Sequence, residues 1–142
     1  MIVDHIMSRN IVTIGMDDSL EYAQALFDEH GFHHLLVVQR GRLVGIISDR
    51  DLLRNLSPFI NNLAERTQDA ATLKRRIHQV MTRSLVTVTR ETPIADAAWE
   101  LLESGVSCLP VIDDRSVPIG IVSWRDLLRA VVPPVPIMAE SP

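Results

Sequence analysis

Gly45-Ile46-Ile47-Ser48-Asp49-Arg50-Asp51-Leu52-Leu53-Arg54 is repeated as Gly120-Ile121-Val122-Ser123-Trp124-Arg125-Asp126-Leu127-Leu128-Arg129. Two copies of one fold need the same apolar residues in the same places. Packing alone does not ask for a hydroxyl, a guanidinium and a carboxylate at fixed offsets. Here Ser48, Arg50 and Asp51 return as Ser123, Arg125 and Asp126, a set suited to a sugar-phosphate ligand.

The correspondence reaches back well beyond this stretch. Met7, Arg9, Thr13, Ala23, Gly31, Leu35 and Val37 match Met81, Arg83, Thr87, Ala97, Gly105, Leu109 and Val111, all at an offset of 74 (81 − 7). From Gly45 and Gly120 onward the offset is 75, so the second copy holds one extra residue. It falls where Arg40-Gly41-Arg42 faces Asp113-Asp114-Arg115-Ser116, both of which read as turns. An insertion confined to a turn is what a tandem duplication tolerates, because loop length changes at little energetic cost.

The chain has 142 residues, which fits one typical domain or two half-size units sharing a core. A unit of about sixty residues is marginal alone because it buries too little surface, so the two copies are expected to pack on each other. A net charge of −4 argues against nucleic acid as the main partner. The one basic run, Lys74-Arg75-Arg76, reads as a solvated helix face. The single cysteine, Cys108, lies in an apolar run; it reads as a buried small hydrophobe in a reducing compartment. Neither a signal-like stretch nor an apolar run of bilayer length is visible, so the expected location is cytoplasmic, with no membrane partner.

Each copy reads strand, helix, strand, strand, helix, an α/β (α+β) class with two tandem βαββα repeats related by a pseudo-two-fold. Ile11 to Ile14 and Leu85 to Val88 are the expected first strands. The first helices are expected to start at Asp18, with Glu21 at capping-box spacing, and at Thr92, with Pro93 at the first helical position. Leu20, Ala23, Leu26, Phe27 and Ile94, Ala97, Leu101, Leu102 supply their apolar faces. Gly31 and Gly105 stop them. Leu35 to Val38 pairs with Leu43 to Ile47, and Leu109 to Ile112 with Ile119 to Val122. Residues 1–57 and 79–132 are the repeats, with a helical connection over 58–78 (helix from Asp69 to Val80) and a proline-rich tail over 133–142.

With its duplicated βαββα order, its Gly-h-h-Ser-x-x-Asp junctions and its Leu109-Pro110-Val111-Ile112-Asp113 strand, the chain resembles a tandem pair of CBS domains, a Bateman module, over about residues 1 to 132. The resemblance implies a non-catalytic regulatory protein, a homodimer forming a disc of four repeats. It also implies an adenosine-containing ligand (AMP, ADP, ATP, S-adenosylmethionine or a dinucleotide) that signals to a regulated protein. No other cofactor is implied.

Asp51 and Asp126 are then placed to accept ribose hydroxyls. Ser48 and Ser123 lie where helix N-termini favour phosphate, and Arg50 and Arg125 add bidentate donors. As alternatives, the serines are helix caps, the arginines pair with surface carboxylates and the aspartates serve the helix dipole. The resemblance groups Ser48, Arg50 and Asp51 with Thr92, Val106 and Ser107, and Ser123, Arg125 and Asp126 with Asp18, Phe32 and His33. Asp18 and Leu36 depart from the family pattern of threonine and proline, so the Asp51 cleft is the one expected to fill. His33 and His34 fall at positions that approach phosphate in some members, and charged imidazole would bind anions better. With His30 they invite a metal reading, but strand neighbours point to opposite faces and no cysteine or acid completes a set, so no metal is expected. No nucleophile with its base and no phosphate-cradling loop points to catalysis. A ligand-free dimerisation scaffold is the competing reading.

Overall fold

A computed structural model describes residues 1–56 and 71–133. In chain order its elements are β1 (Thr13–Gly15), α1 (Leu20–His30), β2 (His34–Gln39), β3 (Arg42–Ser48), α2 (Asp49–Asn55), α3 (Ile94–Ser104), β4 (Cys108–Ile112), β5 (Pro118–Ser123) and α4 (Trp124–Val131). The first repeat has the expected βαββα order. In the second, the expected strand at Leu85 to Val88 is reduced to one parallel bridge between Val88 and Val111.

β1 runs parallel to β2, which pairs antiparallel with β3, setting Leu35 opposite Ile47 and His34 opposite Ser48. The hairpin closes on Arg40 and Gly41, with φ of 54° and 79°. Positive φ at both central residues is the two-residue turn whose twist matches the flanking strands.

Two compact units emerge, and neither is a contiguous repeat. One consists of Ile11–Leu85 with Asp114–Pro118 (the Leu35 unit). The other consists of Met1–Asn10, Val86–Asp113 and the described part of Ile119–Pro142 (the Leu109 unit). The cause is an exchange: the segment that precedes each repeat completes the other repeat's unit. Val3 N–H donates to Thr92 O (2.8 Å) and Asp4 N–H to Arg90 O (2.9 Å). At the positions 74 residues on, Ile77 N–H donates to Asp18 O (2.9 Å) and His78 N–H to Met16 O (3.0 Å). Ser8 and Ile121 trade both backbone bonds, as do Thr82 and Ile46. These pairings give each strand edge the partners that buried backbone groups require.

Each unit has its own core. Leu20, Ala23, Leu26, Phe27, Leu35, Val37 and Ile47 are joined by Ile77 and Met81; Ala97, Leu101, Leu109, Val111 and Val122 are joined by Val3 and Met7. Among the described residues no polar or charged residue is buried. The face expected of α1 is the buried one. On α3 the expectation fails at Leu102, which is exposed, because Ala97 and Leu101 define the buried stripe and Leu102 is turned about 100° from Leu101.

The helix starts also need correction. α1 is capped by Ser19, whose Oγ accepts from Tyr22 N–H, and α3 has Pro93 at its cap, not at the first helical position. Asp18 and Thr92 are engaged one step earlier, in equivalent turns. Asp18 Oδ2 accepts from Gly15 N–H (2.7 Å), and Thr92 Oγ1 accepts from Thr89 N–H (3.0 Å).

The connection expected to be helical to Val80 has two short 3-10 turns in its described part, Thr72–Lys74 and Ile77–Gln79, with extended backbone at Arg75 and Arg76. Its basic run is structural, not merely solvated. Arg75 Nη1 donates to Asn55 Oδ1 (3.0 Å) and Arg76 Nη1 to Asp17 O (3.0 Å), fastening the segment to its unit. The rest of the connection and the tail from residue 134 lie outside the described residues.

Candidate functional site

Both Ser-x-x-Asp motifs fold the same way. Ser48 ends β3 with extended dihedrals and becomes the cap of α2. Asp51 N–H donates to Ser48 Oγ (3.0 Å) while Ser48 N–H donates to Asp51 Oδ2 (3.0 Å). In the second copy Ser123 N–H donates to Asp126 Oδ2 at 2.9 Å, and Asp126 N–H to Ser123 Oγ at 3.4 Å. This reciprocal box satisfies two helix-end donors. It accounts for the serine and for one carboxylate oxygen of each aspartate. Among the described residues, the second oxygen, Oδ1, of Asp51 and Asp126 has no hydrogen-bond partner, and neither has the guanidinium of Arg50 or Arg125.

The flanks of the two junctions differ. In the Leu35 unit, His33 Nδ1 meets Asp49 Oδ2 at 2.9 Å, and Asp49 N–H donates to His33 O (3.0 Å). The Asp49 carboxyl is partly desolvated, which acts to raise its pKa. The hydrogen bond and charge of His33 outweigh this and hold it below the usual aspartate value. The sequence offered Asp49 only as an alternative cap of the helix and did not reveal its pairing with His33. Its signal was the one motif position at which the copies disagree in kind, aspartate against Trp124. The second-copy counterparts of His33 and His34 are Ser107 and Cys108.

His34 lies in β2 opposite Ser48, half-buried, and desolvation pushes its pKa below the ordinary 6.5, against the opposing pull of Asp49 and Asp51. A group whose pKa is depressed by folding binds fewer protons folded than unfolded. Stability therefore falls as pH drops below 6.5 and levels off once pH passes the folded-state value. A melting series from pH 7.5 to 5 should show this loss, and His34→Gln should flatten it.

Phe32 stacks on His30, centroids 5.6 Å apart. With His33 and Asp49 it lines an open cleft of about 280 Å³ between α1 and α2. Asp18 makes its contacts with Gly15 and Ile77. In the Leu109 unit Val106 packs on the core, Ser107 is exposed beside it and Thr92 serves the Thr89 turn. Thus Ser48, Arg50, Asp51, Asp18, Phe32, His33 and His34 share one unit, and Thr92, Val106, Ser107, Ser123, Arg125 and Asp126 the other. Cys108 is buried, and desolvation pushes its thiol up to about 12. Among the described residues no cluster of histidine, cysteine and acidic side chains could hold a metal. No helix there is long and apolar enough to cross a membrane.

The model of the CBS domain matches residues 3–58 and 77–133. A CBS domain-containing protein of Dictyostelium discoideum is 37% identical over 96% of this chain and 97% of its own length. Most of the other relatives are longer. The chain spans 23% of an L-aspartate semialdehyde sulfurtransferase of Methanocaldococcus jannaschii, with 29% identity. Among solved structures, a CBS domain pair in complex with 5′-methylthioadenosine and S-adenosyl-L-methionine superposes with a TM-score of 0.75 and 27% identity, over 92% of this chain and 94% of that one. CBSX2, a CBS-pair protein of Arabidopsis thaliana, has been solved with AMP; that structure gives a TM-score of 0.74 and 30% identity over 91% and 94%.

Proposed function

The chain belongs to the CBS domain family, as two repeats in tandem, and from that premise we propose that it is a non-catalytic regulatory module that binds an adenosine nucleotide or related adenosyl ligand, acts as a homodimer and signals to a partner protein. The observation that carries this reading is the twice-built junction. A strand ends on a capping serine, and an aspartate one turn into the helix keeps one oxygen without a partner among the described residues. An ionised carboxylate oxygen in that position accepts from vicinal ribose hydroxyls. The arginine between serine and aspartate offers a phosphate donor. The adenosyl ligands of the two similar CBS pairs support the same class of ligand.

The test is melting temperature with AMP, ADP, ATP, S-adenosylmethionine and NAD, for the parent protein, Asp51→Asn and Asp126→Asn. Asparagine keeps an acceptor for the capping bond but removes the charge. A ligand at 100 times its Kd stabilises by about 2.7 kcal/mol, which is about 5–10 °C for a chain of this size. We expect the shift with an adenylate, and its loss in Asp51→Asn.

The competing reading, a ligand-free scaffold, is favoured by one observation: the capping box already employs both Ser48 and Asp51. No shift with any of the five compounds, in a protein that still dimerises, establishes that reading instead.

A further inference from the structure

Two turns meet at the end of the β2–β3 hairpin away from Ser48. One is the hairpin turn itself, Arg40-Gly41-Arg42. The other is the loop Asp113-Asp114-Arg115-Ser116, whose part from Asp114 onward belongs to the same unit. Leu43 N–H donates to Ser116 O (2.9 Å) and fastens one turn to the other. Arg40, Arg42, Asp114, Arg115 and Ser116 are all exposed.

Among the described residues, Arg40 and Ser116 are the two non-glycine residues with positive φ, 54° and 64°. A side chain in that conformation crowds its own backbone. Glycine and asparagine adopt it more readily, and Asn-Gly is the favoured pair for a two-residue hairpin turn. The turn therefore gains nothing from an arginine at its first position. Strain kept on an exposed loop points to a use outside the fold. Nor do the arginines serve the turn by pairing. Among the described residues neither Arg40 nor Arg42 has a hydrogen-bond or ion-pair partner, and Asp114 pairs with neither, whereas Asp113 and Arg115 are engaged. Two guanidinium groups thus flank Gly41 on a short turn, a positive tip on a chain of net charge −4.

Resting on the partner signalling proposed above, we propose that this double turn is the docking surface for the regulated protein, and that the partner presents to it a carboxylate-rich segment, a run of aspartate and glutamate. The paired donors of a guanidinium match the two oxygens of a carboxylate. Nucleic acid fits less well, given the net charge of the chain and Asp114 beside the tip. β3 starts at Arg42 and ends on the cap Ser48, so one strand of about 20 Å joins the docking turn to the junction while keeping the two surfaces apart.

Fluorescence anisotropy at low salt tests this with a labelled peptide of alternating glutamate and aspartate, its glutamine and asparagine counterpart, and a single-stranded oligonucleotide of equal charge. The proteins are the full chain, Arg40→Asn/Arg42→Thr, and the control Arg54→Gln/Arg129→Gln, which removes the same charge from exposed helix positions. We expect parent and control to bind the acidic peptide alike, and the turn variant to bind it at least about 10-fold more weakly, the loss of one charge-assisted pair. Arg40→Asn alone should melt about 2–4 °C higher, because asparagine relieves the strain.

Equal binding by the turn variant, an equal loss in the control, no preference for the acidic peptide over the neutral one, or tighter binding of the oligonucleotide each overturns the docking assignment. A lower melting temperature for Arg40→Asn does so too, since it makes Arg40 a residue of the turn. Adenosyl melting shifts are measured on the same samples. If they are absent while peptide binding still depends on Arg40 and Arg42, the regulatory reading fails and the docking surface stands.

Discussion

Gly120→Ala should lower the melting temperature by about 6–12 °C, corresponding to about 3 kcal/mol of overpacking in a chain of this size. A Cβ at Gly120 would stand 2.8 Å from Met7 Sδ and 2.8 Å from Ser8 O. The sulfur can move; the carbonyl cannot easily do so. Ser8 O accepts from Ile121 N–H at 2.9 Å and Ser8 N–H donates to Ile121 O at 2.9 Å, so relieving the clash means opening the bridge that closes the unit. Gly45→Ala is the internal comparison. There the contacts are Met81 Sδ at 2.6 Å and Thr82 O at 3.1 Å, so the nearest obstacle is a flexible side chain. We expect a smaller loss, partly recovered by shortening Met81 to valine. Thermal melts of the four proteins decide it. An equal loss at the two glycines would mean that the carbonyl contact does not set the cost.

Leu35→Ala should destabilise by about 2–5 kcal/mol, a large share of the 5–15 kcal/mol typical of a folded domain. Leu35 is fully buried in β2, beside its register partner Ile47 in β3 and in one core with the α1 residues Leu20, Ala23, Leu26 and Phe27, a core with no polar side chain to draw water into the gap. Its counterpart Leu109 occupies the same place in the other core, and the two cores share no residue. Leu109→Ala should cost a similar amount. In urea, the midpoint should fall without a change in slope if the chain still unfolds in one step.

Most of the fold could be read from the chain because the repeat preserved it. The strands at Leu35, Leu43, Leu109 and Ile119, the α1 face and the glycine stops all follow from local patterning. The reading went wrong where a side chain had two local uses. Asp18 and Thr92 have the chemistry of caps, but the turns at Gly15 and Thr89 claim them, and the helices start one residue later. Leu102 adjoins the buried stripe in sequence, yet the 100° step per residue takes it out to solvent. The exchange of the leading segments could not be read at all, since local periodicity does not say which of two sheets built from similar sequences a segment will join.

At the junctions the reading named the residues but not the bonds they make. The capping box was weighed as an alternative to ligand contact, and the capping bonds occupy only one oxygen of each aspartate. Oδ2 caps, and Oδ1 has no partner among the described residues. The pairing of Asp49 with His33 was not legible because the reading rested on what the copies share, and this pairing is something they do not.

The exchanged segments set an order on the ribosome. Met1–Asn10 emerges before its partners Arg90, Thr92 and Ile121 are made, so this segment must wait while more than eighty residues are synthesised. Val3 and Met7 are exposed apolar groups in the nascent chain for that time, the kind of surface that chaperones bind. The same fact governs where the gene can be cut. A fragment beginning at the second repeat lacks Val3 and Met7 from its core, and one ending before residue 77 lacks Ile77 and Met81, so neither repeat can be expressed alone with its core complete.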